Sequence, residues 1–447
     1  MVRRAGGPGA AGEAPGGAAR RRRGRRSGAL SATATAGGNP PATGGEALRA
    51  ALSLEEWIRA REYRGYDPHD LLASPLVRAL TLGNRWLAVA WTQLGKRSPL
   101  QLRPLLGVPR TENPKTLALC LAAELRLAAA TGERAPRERA AALVRRLAAA
   151  RGADGGWGYP FPWANRSFLA PAGTGSAVVS AFVGHALLDA AERLDPEGAA
   201  GPAATERLIP GEAAALAAAA GDFVRARLRR VAGPEGTFAF SYTPLDTRVV
   251  HNASVLAASL LARLAARGEA PDAAAAALAA ARFTAAAQAA DGSWRYGAAG
   301  RDGWVDSFHT GYTLIALREI GLRLGTAELE PAVRRGLEYW HRTFLGGPAV
   351  RFHPGSDYPI DMHAVAQAIL TLLAFQAELP DATRAATRLA RWSVREMRAG
   401  SGHYYYLKGR AVTNRLPYMR WVQAWVLRAL SELAVVEAGA PAVGAGA

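Results

Sequence analysis

The chain repeats itself. In its C-terminal half a short polar, ring-bearing cluster precedes an apolar run at intervals of roughly 55 residues. Val249-Val250-His251-Asn252 opens the run from Val255 to Leu264, and Asp306-Ser307-Phe308-His309-Thr310-Gly311 opens Leu314 to Ile320. Asp361-Met362-His363 opens Val365 to Phe375, and Tyr418-Met419-Arg420-Trp421 opens Val422 to Leu433. Two looser copies lie upstream. Gly173-Thr174-Gly175 leads into Val178 to Leu188, and Asn113-Pro114-Lys115-Thr116 leads into Leu117 to Leu125. Six copies of one unit limit the fold more tightly than any composition does.

Between copies runs a second helical pattern. Ala274 to Ala290 is alanine-rich, and alanine is the best helix former. Pro331 to Phe344 places Val333, Leu337, Trp340 and Phe344 at helical spacing. Each unit is therefore a helix pair, and a pair cannot bury its apolar face alone, so successive pairs must stack. The helices after the clusters are apolar nearly all round, as inner helices must be, while their partners are amphipathic. A closed ring, an all-α (α/α)6 toroid with short hairpin-like loops at one rim, is favoured over an open solenoid. All six clusters then converge on one cavity mouth. Asp-Gly turns end the outer helices in Asp154-Gly155-Gly156-Trp157-Gly158-Tyr159 and Asp291-Gly292-Ser293-Trp294-Arg295-Tyr296.

The repeat occupies residues 46–436. Residues 1–45 hold Gly, Ala, Pro and the run Arg20 to Arg26, and with almost no large apolar side chain they are expected to be disordered, as are residues 437–447. No apolar stretch follows the arginines, so a secretion signal is not expected here. The formal net charge is +18, nearly all of it arginine, with only Lys96, Lys115 and Lys408 as lysines. Such a balance fits an anionic partner, or simply arginine-rich codon usage. No nucleic-acid-binding motif occurs, and nucleic acid is not an expected partner. Cys120 is the single cysteine, which rules out an internal disulfide and a thiolate-rich metal site. No metal or other cofactor is expected. No apolar stretch is long enough to span a bilayer, and a cytoplasmic protein is expected.

Chemistry is expected at the mouth. His251, His309 and His363 occupy equivalent repeat positions, where imidazole suits proton transfer at neutral pH. Asp306 and Asp361 stand three and two residues ahead of their histidines. They read equally as helix N-caps and as the paired carboxylates of glycosidic-bond cleavage. Tyr242 completes the candidate catalytic set. Trp157, Tyr159, Trp163, Trp294, Tyr296, Trp304, Tyr358, Tyr404, Tyr406, Tyr418 and Trp421 crowd the loops beside Gly, Asp and Arg, and flat rings with polar tips suit sugar faces. Arg166, Arg415 and Arg420, with Asn252, could hold an acidic sugar. Two N-terminal stretches, Glu62 to Asp70 and Lys96 to Gly107, are expected to lie over the mouth and to close the ring rather than to carry chemistry.

Gly65-Tyr66-Asp67-Pro68, Lys96-Arg97-Ser98-Pro99, Arg103-Pro104-Leu105-Leu106-Gly107, Trp157-Gly158-Tyr159-Pro160, Tyr242-Thr243-Pro244-Leu245-Asp246, Asp306-Ser307-Phe308-His309-Thr310-Gly311, Tyr358-Pro359-Ile360-Asp361 and Pro417 to Trp421 together resemble a bacterial and archaeal family found with polysaccharide-biosynthesis genes. The resemblance spans residues 62 to 433. It implies an α/α toroid related in shape to terpenoid cyclases, prenyltransferases and six-hairpin glycosidases, and carries no residue roles. Gln288 to Trp294 is similar to the QW repeat of squalene cyclases, where Gln and Trp tie helix ends together. The Asp-rich motifs of terpene cyclases are absent, and the zinc set of protein prenyltransferases cannot be built from one mid-helix thiol. The expectation is a carbohydrate-active protein of exopolysaccharide or capsule biosynthesis. It would act by acid–base chemistry, as hydrolase, lyase or epimerase, on a polysaccharide or lipid-linked glycan, with peripheral contact to membrane-bound assembly machinery. Its rivals are a non-catalytic glycan-binding scaffold and an isoprenoid-binding toroid.

Overall fold

The structure is a computed structural model that describes residues 45–164, 169–194, 209–270 and 272–439. Six inner helices each begin at one of the six clusters: α4 (Pro114–Thr131), α6 (Ala177–Arg193), α8 (His251–Ala266), α10 (Ser307–Leu324), α12 (Met362–Ala374) and α14 (Ala424–Glu437). Each packs on the next, and α14 packs on α4, so the ring closes. Five outer helices follow their inner partners: α5 (Arg134–Ala149), α7 (Ile209–Arg227), α9 (Ala273–Ala286), α11 (Glu330–Phe344) and α13 (Ala382–Met397). The sixth is the first of the described helices, α1 (Gly45–Arg59), which packs on α14 and completes the outer layer. The expected (α/α)6 toroid is what the chain forms. Of the segments expected to be disordered, residues 1–44 and 440–447 lie outside the described residues, while Gly45 opens α1 and α14 runs through Glu437.

The polar clusters are where they are because inner helices need caps. Asn113, Ser176, Asp306 and Asp361 each accept a backbone N–H from the first turn of α4, α6, α10 and α12. The helices themselves are buried almost all round, as in the α8 stretch from His251 to Leu264. At their far ends a buried ionic network crosses the ring. Arg126 of α4 reaches Glu432 of α14 and Asp189 of α6, and Arg263 of α8 lies 2.9 Å from Asp189. His185 packs there against Ser259, 2.9 Å away. These charges compensate one another out of water, and removing one partner would strand the rest.

The loops that return from outer to inner helices share one geometry. Gly155, Gly292 and Gly402 take φ of 87°, 93° and 93°, each two residues ahead of a buried ring: Trp157, Trp294 and Tyr404. The same closing hydrogen bond recurs in each, from Gly152 N–H to Gly156 O, Ala289 N–H to Ser293 O and Ala399 N–H to His403 O. The positive φ, which glycine adopts without steric cost, turns the following ring back into the wall.

An insertion precedes the second helix of the ring. It comprises a 3-10 turn (Asp70–Ala73), α2 (Pro75–Leu80) and α3 (Arg85–Arg97), and returns through a short antiparallel pairing of Arg64–Gly65 with Thr111–Glu112. Buried Arg103 pins it: its guanidinium meets Asp70 at 2.5 Å, the Asp67 carbonyl at 2.7 Å and the Tyr418 hydroxyl at 2.9 Å.

Candidate active site at the mouth of the ring

The inner-helix starts converge as their spacing requires. Asp306 caps α10 with one carboxylate oxygen, accepting the His309 N–H at 2.9 Å. Its other oxygen lies 2.6 Å from His309 Nδ1 and accepts the Trp304 indole N–H at 3.2 Å. Burial alone would raise this carboxyl. The charge and hydrogen bonds of His309 outweigh it and hold Asp306 below the usual range. The His309 side chain is partly open to the mouth.

Asp361 caps α12 in the same way, accepting the His363 N–H at 2.8 Å, and takes the Trp421 indole N–H at 3.2 Å. Here burial wins. The carboxyl is pushed up to about 6, against lowering contributions from the His363 N–H, the Trp421 N–H and Lys96. The two aspartates occupy equivalent repeat positions and titrate in opposite directions.

A second polar group lies deeper. His363 is buried, with Nε2 on the Tyr312 hydroxyl and no partner at Nδ1 among the described residues. Trp425 and Phe308 stack against it, each with centroids 4.6 Å away. Burial, then the charges of Lys115 and Arg420, hold this imidazole well below its usual pKa. The Lys115 ammonium sits 4.0 Å from the Phe182 ring, 5.0 Å from Trp425 and 5.6 Å from Tyr312. Burial and then the charge of Arg420 lower it well below the ordinary lysine value.

Arg420 holds Asp67 through two hydrogen bonds, of 2.5 and 2.8 Å, and lies 5.0 Å from the Tyr159 centroid. It sits in a π-helical turn, Met419–Gln423, that brings Arg420 and Trp421 to the mouth together. Burial opposes its charge, but Asp67 overrides that and raises Arg420 above its ordinary value. The ring wall continues through Tyr159 stacked on Phe161, Trp163 edge-on to Tyr242, and Tyr296 stacked on Trp304 at 4.4 Å. Burial, with Tyr159 next, pushes the Tyr242 hydroxyl well up. Tyr406 packs edge-on to Tyr418 beside this group.

Several expected site residues do other work. Trp157 and Trp294 are buried and donate their indole N–H to the carbonyls of Leu147 and Thr284 on the outer layer, each at 2.8 Å. They tie helix ends together, and the turn glycines aim them there. Gln288 does the same from the other side, donating to Gly292 O and Ala332 O, as the QW resemblance implied. His251 turns outward to Phe283 of α9, its centroid 6.1 Å away, and burial alone lowers it to about 4. Tyr404 is fully buried near Arg398 and Glu46 of the outer layer. Tyr418 is spent on Arg103 and the Gly95 carbonyl. Arg415 is exposed over Tyr405, 5.4 Å from its centroid. Tyr358 is partly buried and packs against the hydrophobic core. Asn252 is buried with its side-chain oxygen unpartnered among the described residues. Arg166 lies outside the described residues.

Conversely, the insertion, expected from the sequence to lie over the mouth and to close the ring, brings charged groups to the cluster. Asp67 fixes Arg420, His69 lies 5.3 Å from the Trp421 centroid, and the Lys96 ammonium lies 5.7 Å from the same ring. Phe182 and Trp425 were equally unmarked, and only the closed ring brings them to Tyr312. No grouping of His, Cys, Asp and Glu that could hold a metal ion occurs among the described residues.

Comparison with known proteins bears on the fold. No protein-family model matches the sequence, and no curated protein does. Among solved structures, the unsaturated glucuronyl hydrolase of Bacillus sp. GL1 superposes with a TM-score of 0.52 at 15% identity, over 87% of this chain and 95% of that one. The unsaturated glucuronyl hydrolase of Streptococcus agalactiae gives 0.54 at 11%, over 87% and 91%. Cellobiose 2-epimerase from Bacillus thermoamylovorans gives 0.53 at 9%, over 72% and 90%. The chain thus has the fold of the six-hairpin (α/α)6 toroids.

Proposed function

We propose that this protein is a carbohydrate-active enzyme that moves protons on an acidic, uronate-bearing glycan at the mouth of the toroid. The observation that carries this reading is the pairing of a buried carboxyl pushed up to about 6, Asp361, with an Asp306–His309 dyad whose carboxylate stays ionised. Two groups driven apart by their surroundings are what an acid and a base at one site require. Asp361 delivers a proton from its neutral form, and Trp421 positions it. His309, oriented by Asp306, takes a proton from water or from the sugar carbon beside a carboxylate. Tyr159, Trp163, Tyr242, Tyr296 and Trp304 offer ring faces to the sugar. Lys96 and Lys115 face rings and form no ion pair among the described residues; burial disfavours their charge, and a glycan carboxylate beside them would restore it.

The similar solved structures support the substrate class. One is described as responsible for the degradation of glycosaminoglycan, and others as sugar epimerases. A polysaccharide-assembly setting, as the sequence resemblance implies, fits the same substrate class. The test is a panel of uronate glycans incubated with wild type, Asp306→Asn and Asp361→Asn, with products read by mass spectrometry and by ultraviolet absorbance. Cleavage, a new unsaturated uronate or an epimerised sugar, lost in both variants, supports the reading. A glycan-binding scaffold is the second reading, favoured by the fact that both aspartates also cap helices. It predicts binding across the panel with every glycan recovered unchanged.

A further inference from the structure

Helix α3 is built inside out. Its buried face carries the small residues Ala88, Thr92 and Gly95, while Trp86, Leu87 and Leu94 point to solvent. Packing explains the small residues: a Cβ on Gly95 would sit 2.5 Å from the Leu71 side chain. Packing does not explain the bulky ones outside. The short α2 and its turn add Leu76, Leu80 and Leu82, the last 84% exposed. Among the described residues, eight of the thirteen large apolar side chains that stand exposed fall between residues 76 and 105. A concentration of this kind marks a docking surface, because scattered exposure would need no explanation.

Charge identifies the occupant. Between Asp70 and Glu112 the sequence holds no acidic residue, yet it carries Arg78, Arg85, Lys96, Arg97, Arg103 and Arg110. Arg78, Arg85, Arg97 and Arg110 are exposed around the apolar face. A tryptophan and leucines ringed by arginines, with no carboxylate among them, match the boundary of an anionic bilayer, where rings and aliphatic chains enter the acyl region and guanidinium groups meet the headgroups. We propose that residues 75–110 seat the protein on an anionic lipid surface, peripherally. None of the described helices is long and apolar enough to cross a membrane. The placement has a consequence, since Lys96 of the same helix lies over Trp421 at the mouth. Docking through α2 and α3 holds the mouth beside the membrane, where a lipid-linked glycan would present itself. The inference stands apart from the proposed chemistry, because its test reads lipid and not turnover.

The experiment is flotation of the full-length chain with phosphatidylcholine vesicles, with and without phosphatidylglycerol, for wild type and the Leu87→Glu/Leu94→Glu double variant. Both positions are exposed, and unchanged circular dichroism melting confirms that the variant folds; if melting falls, Leu87→Ser/Leu94→Ser replaces it. The expected result is binding to the anionic vesicles alone, weakened by salt and reduced about tenfold or more in the variant. Equal binding by wild type and variant overturns the proposal, since basic residues elsewhere would then suffice. So does absence of binding, and so does a wild-type dimer that the variant converts to monomer, which would make a second copy the occupant.

Discussion

Replacing Asp361 by Asn separates stability from activity. The native carboxyl titrates at about 6 against an ordinary 3.8, so the folded state holds this proton more tightly than the unfolded chain does. The stabilisation is complete below about pH 4 and is lost as pH rises through about 6. A shift of that size is worth about 3 kcal/mol at pH 8 relative to pH 4. Asparagine cannot ionise, and it caps a helix as well as aspartate does. It can still accept the His363 N–H that Asp361 accepts at 2.8 Å. The free-energy difference between variant and wild type should therefore move in the variant's favour by about 3 kcal/mol between pH 4 and pH 8. Urea unfolding of both proteins across that range measures it. Asp70, raised to about 7, and Glu124, raised to about 8, titrate in both proteins and cancel in the difference. A difference that does not change with pH would refute the assignment of a destabilising buried charge to Asp361. Turnover in the same variant should be lost, so the group that costs stability is the group that catalysis uses.

Arg420→Met strands Asp67 in the interior and should cost about 3–5 kcal/mol in thermal unfolding, while adding Asp67→Asn should recover much of it. A double variant no more stable than the single would break the claim that the pair is one unit. Trp294→Phe removes the indole bond to Thr284 O and should lower stability by about 1–2 kcal/mol with kcat unchanged. A fall in kcat at constant stability would return Trp294 to the site. Tyr312→Phe leaves both ring nitrogens of His363 without a partner among the described residues and should cost about 1–3 kcal/mol by denaturant titration. An unchanged midpoint would mean that the hydroxyl contact contributes nothing.

The toroid was legible because two independent signals agree at every repeat: a helix apolar on all sides, and a capping residue directly ahead of it. The common position of Asp306, His309, Asp361, His363 and Trp421 at one end of the ring could be read for the same reason, since the repeat fixes it. Three rings misled. Trp157, Trp294 and Tyr404 stand beside glycine in loops, which reads as a sugar platform, yet the positive φ two residues earlier folds each ring into the wall. His251 shares a repeat position with His363, but at the very start of α8 its side chain meets the outer helix instead of the centre. Asp67, His69 and Lys96 were given no chemical role because they belong to a single-copy insertion. No periodicity places them, and only the closed fold carries Asp67 to Arg420, 353 residues away in sequence.

The most direct test of the central claim, an acid and a base held in opposite protonation states at one mouth, is the pH dependence of kcat on a uronate glycan that the enzyme converts. The account predicts a rate that falls as pH rises through about 6, where neutral Asp361 disappears, and Asp361→Asn should lack this limb along with nearly all activity. A rate that climbs through the same range, or an Asp361→Asn enzyme that keeps the wild-type profile, would contradict it.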